Sequence, residues 1–151
     1  MKVSIVMLGI RLETGMALAA LALHVMFVLY LSSFYYALTR PIIGENIILY
    51  PTQLLLVGIF LFGLPGFGLS AIAYLLAKRD APKVVSVILI AQGIVVPVGI
   101  FYASTLVNII NEEYRTFEIL IVPQIFIVPG FVPIGFGIHI AKLKPVKRRY
   151  T

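Results

Sequence analysis

Val84–Asn111 reads VVSVILIAQGIVVPVGIFYASTLVNIIN, and it contains no Asp, Glu, Lys or Arg. A helix needs roughly 20 consecutive apolar residues to cross the hydrocarbon core of a bilayer. This run exceeds that length, and a soluble core helix does not stay apolar for so long without a polar face. Three further uncharged runs lie before and after it, Thr14–Thr39, Asn46–Ala77 and Ile119–Ala141. Together they predict transmembrane helices at about 14–38, 53–77, 84–110 and 119–141. None of them alternates with period two, which argues against a β-barrel. The expected fold is an all-α integral membrane protein, a four-helix bundle forming one domain over residues 1–151.

Composition supports the same reading. Charged residues make up 12% of the chain, about half the share usual in soluble domains, and the mean hydropathy is +1.07. There is no cysteine, which removes disulfides, thiolate zinc sites and iron–sulfur ligation. There is no tryptophan either. Tyr35, Tyr36, Tyr50, Tyr102 and Tyr114, near span ends or in connections, are left to supply the interfacial aromatics.

The charge of +6 is a topology signal rather than a nucleic-acid signal. If all four helices cross, ten of the twelve Lys and Arg residues share one side, and only Arg40 and Arg115 fall on the other. The positive-inside rule then places both termini in the cytoplasm, and the expected location is the cell membrane. The tail over 142–151, KLKPVKRRYT, brings Lys142, Lys144, Lys147, Arg148 and Arg149 to that side. Such a tail is drawn to anionic lipid headgroups, or simply anchors the last helix. The opening MKVSIVMLGIRLETG resembles a signal peptide only in part. Arg11 and Glu13 interrupt it and no small-x-small cleavage site follows, so it reads as a retained lead-in to the first span.

Two stretches resemble each other, LPGFGLSAIAYLLAK at 64–78 and VPGFVPIGFGIHIAK at 128–142. An offset of 64 pairs Pro65 with Pro129, Gly66 with Gly130 and Lys78 with Lys142. The preceding spans match at an offset of 66, Phe34–Thr39 against Ile100–Thr105. The match raises a parallel repeat of two helical hairpins, related by an axis along the membrane normal. Unrelated packing in the two hairpins would count against it.

Pro65, Pro97, Pro129 and Pro133 sit near the middle of their spans. Each removes an amide donor and crowds the carbonyl four residues back. The loosened carbonyls are those of Leu61, Gly93, Ile125 and Pro129. They must face protein, water or a ligand, because an unpaired carbonyl in hydrocarbon costs about several kcal/mol. Static kinks and a midplane cavity are both compatible with this. In the second span Gly63, Gly66, Ser70, Ala73 and Ala77 recur at helical spacing on one face, a surface on which another helix can approach closely. Gly15, Ala19 and Ala22 of the first span are the expected partners.

Candidate chemistry is sparse. Every acidic and basic residue lies at or beyond a span end, whereas pumps and ion-coupled carriers normally keep a carboxylate within the membrane. His24 is expected about 15 Å deep and His139 about 3 Å, from 1.5 Å per residue. That offset argues against one haem bound by both. The bland roles are a cross-helix hydrogen bond for His24 and an interfacial position for His139. His24, Gln92 and Gln124 form the candidate intramembrane polar set. GLPGFG lacks a phosphate-loop context and no HExxH or nucleophile–base pair appears, so no catalytic, metal or cofactor residues are expected.

These features point to a non-catalytic accessory subunit of a larger integral-membrane complex, with membrane lipids and other membrane subunits as partners. In size, span number and composition the chain resembles the small subunits that accompany archaeal or bacterial membrane oxidases and monooxygenases. That likeness transfers no residue roles. The alternative is a small homo-oligomeric transporter or channel whose path runs through the proline-broken midplane.

Overall fold

A computed structural model describes residues 11–40 and 50–144. The tail residues Lys147, Arg148 and Arg149 lie outside them. Four long apolar helical spans are present, and the described residues contain no strand. α1 covers Leu12–Leu38. The second span is α2 (Pro51–Gly58), a π turn (Ile59–Gly63) and α3 (Leu64–Ala77). α4 covers Lys83–Val107 and α5 covers Phe117–Lys142.

The spans run alternately up and down. At one end Arg11 binds Asp80 at 2.6 Å, and the Ser86 hydroxyl donates to the Gly137 carbonyl at 2.7 Å. The start of α1, the end of α3, the start of α4 and the end of α5 therefore share that end. At the other end the Asn111 amide N–H bonds the Leu38 carbonyl at 3.2 Å, and its side chain donates to the Arg40 carbonyl. These bonds turn the chain after Val107, three residues short of the expected helix end near 110. Arg115 takes up the carbonyls of Asn108 and Ile110 that the early stop leaves over.

α1 packs along both the second span and α4, α4 packs along α5, and the second span meets α5 only sparsely. The resulting ring order is second span, α1, α4, α5, with one loosely closed seam. The core splits into two apolar clusters. The larger contains Phe27, Leu31, Tyr35, Val96 and Ile100; the smaller contains Ala17, Ala73, Ala77, Val85, Leu89 and Ile140. In α1, α3 and α4 the boundary between them falls at His24, Ser70 and Gln92.

The small-residue face of the second span is buried at Gly63, Gly66, Ser70, Ala73 and Ala77. Its partners differ from expectation. Ala19 and Ala22 are exposed and Gly15 is only half-buried. The buried side of α1 is instead Ala17, Ala20, His24, Phe27 and Leu31. Large side chains sit over glycines. A Cβ on Gly58 would lie 2.2 Å from Tyr30 Cε1, on Gly63 3.1 Å from Phe27, and on Gly66 3.0 Å from His24 Cδ2. On α1 these partners step by three residues. On the second span the first step is five. The π turn supplies that longer step, with the Leu64 N–H reaching the Ile59 carbonyl.

Packing also separates the two hairpins. At the offsets that match their sequences, His24 corresponds to Ile90 and Gly66 to Gly130. His24 meets Gly66, but Ile90 meets Gly137; Phe27 meets Gly63, but its counterpart Gly93 meets Ile134. Both contacts are displaced by seven residues, two helical turns. The sequence match therefore does not extend to a shared packing register.

Candidate functional site

The buried polar groups partway along the bundle come from three spans. Gln92 and His24 are fully buried, and Ser70 nearly so. Gln92 Nε2 donates to the Ala17 carbonyl of α1 at 2.7 Å. Its Oε1 lies 2.6 Å from Ser70 Oγ of α3, and Ser70 Oγ is also 2.9 Å from the Gly66 carbonyl. Serine has one hydroxyl proton, so it donates to one of these acceptors at a time. The Ala17 bond orients the amide, because the reversed amide would set Oε1 against a carbonyl. One glutamine thus ties α1, α3 and α4 together.

His24 stands beside this cluster, within reach of the Gln92 side chain. Among the described residues neither Nδ1 nor Nε2 makes a well-formed hydrogen bond. The ring lies over Gly66 and meets Phe67 edge-on at 4.7 Å. The well-formed hydrogen bonds between helices at this level are those of Gln92, and the contact of His24 with the Gln92 side chain is a looser one. Leaving a buried donor or acceptor without a well-formed bond costs about 1–3 kcal/mol, so this histidine is a costly polar group of the bundle interior. Aromatic rings close the cluster toward the far end. Phe27 and Phe126 meet at 5.5 Å across the bundle, and Phe67 and Phe126 at 6.3 Å across the open seam.

Gln124 does not join the set. It is exposed and lies ten residues, about 15 Å, along α5 from Ile134, the residue packed on Gly93. His139 is also elsewhere. It contacts Tyr74, eight residues or about 12 Å along α3 from the Gly66 that His24 covers. Among the described residues no three His, Asp or Glu side chains gather as a metal set.

The prolines have separate surroundings. Pro65 is exposed and occupies the first turn of α3, where a missing N–H is tolerated. Pro97 is buried against Gly130. Pro133 is buried and Pro129 half-buried. A fifth proline, Pro123, was not anticipated as a kink. It frees the Ile119 carbonyl, and the buried Tyr35 hydroxyl donates to that oxygen at 2.8 Å. The sequence signal was available, since Pro123 stands inside the fourth uncharged run, but the hydroxyl that answers it, on Tyr35, lies 84 residues before Ile119. Of the tail cations, Lys142 and Lys144 are described and both are exposed.

No family model matches the chain, and neither a curated protein nor a solved structure is significantly similar to it.

Proposed function

We propose that this protein is a non-catalytic accessory subunit of a larger integral-membrane assembly, held in the cell membrane with both termini cytoplasmic. The observation that carries the reading is the closed interior at the level of Gln92. A solute path along the bundle axis would have to pass there. Leu89, Gln92 and Val96 are fully buried, and the glutamine amide is committed to α1 and α3. Outside, α5 displays Ile125, Val128, Phe131, Val132 and Ile138, an apolar face suited to lipid or to a neighbouring subunit. The test is purification from the native membrane in mild detergent, with mass spectrometry of what co-purifies. Stoichiometric recovery of other membrane subunits is the expected result. Recovery alone, as a monomer or homo-oligomer that moves solute in liposomes, would replace this reading with that of a small transporter or channel. Two observations favour that second reading, the nitrogens of His24 without a well-formed hydrogen bond among the described residues and the π turn beside Pro65.

A further inference from the structure

The open seam between the second span and α5 is clasped near one end by aromatic side chains. Tyr74 of α3 stacks on Phe136 of α5 at 4.4 Å, with planes 13° apart. Its hydroxyl is 2.7 Å from His139 Nδ1. The phenol is the better donor and a bare imidazole nitrogen the better acceptor, so Tyr74 donates to Nδ1. The ring proton then sits on Nε2, and His139 is exposed. The clasp therefore offers an N–H donor at the mouth of the seam.

Cations surround that mouth. Lys78 follows Tyr74 by four residues and Lys142 follows His139 by three, spacings that share a helix face. Both lysines lie one turn beyond the clasp, and Arg79 and Lys144 come just after them. All four are exposed and make no ion pair among the described residues. The ends of α3 and α5 carry about half a negative charge each, about −1 together. The starts of α1 and α4 at this end offset that, and with Arg11, Lys83, Glu13 and Asp80 counted beside the four cations the described residues here carry about +4. Beside them the helices show exposed Leu75 and Ile138.

We propose that this end of the seam between α3 and α5 binds an anionic phospholipid. Its phosphate accepts from His139 Nε2–H and pairs with Lys78 and Lys142, and an acyl chain follows the loosely packed seam into the bilayer. Basic pockets between transmembrane helices recognise such headgroups. A free phosphate shares the chemistry of the polar part but has nothing to place in the seam. The proposal rests on the chain's spanning a membrane and not on its being a subunit.

The test uses the full chain, with ¹⁵N-labelled histidine, in phosphatidylcholine nanodiscs containing increasing fractions of phosphatidylglycerol. The His139 Nε2 resonance is expected to shift and saturate. Lys78→Gln with Lys142→Gln should weaken the apparent affinity about thirtyfold, at about 1 kcal/mol per lysine. Tyr74→Phe changes no charge but releases the ring proton from Nε2, and should also weaken saturation. A linear, non-saturating response of the wild-type chain would mean diffuse surface attraction and would overturn the proposal. So would equal saturation by inorganic phosphate in pure phosphatidylcholine discs. The wild-type titrations decide these points even if a variant fails to fold.

Discussion

Replacing His24 by phenylalanine is expected to stabilise the protein. The imidazole brings one N–H donor and one bare nitrogen into a fully buried place, and among the described residues neither makes a well-formed hydrogen bond. At the low end of about 1 kcal/mol for each unpaired group, the two cost about 2 kcal/mol. Phenylalanine removes both polar atoms and keeps a ring edge-on to Phe67, an arrangement worth about 0.5–1.5 kcal/mol. The larger ring must fit over Gly66, and overpacking costs at least about 1 kcal/mol. The net expectation is a gain of about 1 kcal/mol. Reversible unfolding by SDS in mixed micelles, followed by far-ultraviolet circular dichroism, measures it. The sign carries the test. If the histidine nitrogens were engaged by a group or water that matters to the fold, phenylalanine would lose those bonds. A variant that folds but is less stable by about 1 kcal/mol or more would refute the reasoning.

Tyr35→Phe should cost about 1–3 kcal/mol, because it strands the buried Ile119 carbonyl. In a Pro123→Ala background the restored N–H can reach that carbonyl, so the same change should cost less than about 0.5 kcal/mol; a double-mutant cycle in the same unfolding assay checks the coupling. Gly93→Ala should destabilise by about 3 kcal/mol, since its Cβ would lie 2.6 Å from the Ile134 backbone nitrogen, which cannot rotate away. Gly135 has nothing within 4 Å of its Cβ position, so Gly135→Ala should be neutral or stabilising by up to about 1 kcal/mol. Equal damage from the two glycine variants would contradict the packing of α4 on α5.

Hydropathy made the spans legible because an uncharged run is a local property, and a bilayer demands a minimum length of it. Helix ends were legible less well. The early stop of α4 depends on Asn111 bonding the end of α1, which no local pattern announces. The small-residue face from Gly63 to Ala77 was readable from spacing, but its partner was not. Hydropathy does not encode which side of α1 turns inward, and small residues attracted the assignment to Ala19 and Ala22. Glycine here receives large side chains, Tyr30, Phe27 and His24, rather than other small ones. The polar set divided for the same reason. Gln92 and His24 share a depth and meet because α4 and the second span both flank α1, while Gln124 belongs to another level of α5.

The π turn has a consequence for chain length. Between Gly58 and Gly63 the second span contains one residue more than a plain α-helix would need to keep both glycines under α1. The surplus residue and Pro65 form a compensating pair. Deleting one residue from 59–63 alone would tighten the turn and press the proline ring on the carbonyl four residues back. Deleting it together with a Pro65→Ala exchange would leave an unbroken helix in the same rotational phase. Elsewhere in the bundle a single deletion would rotate everything beyond it by about 100°. Within the described helices, the stretch around the π turn is thus where the chain can absorb a change of frame.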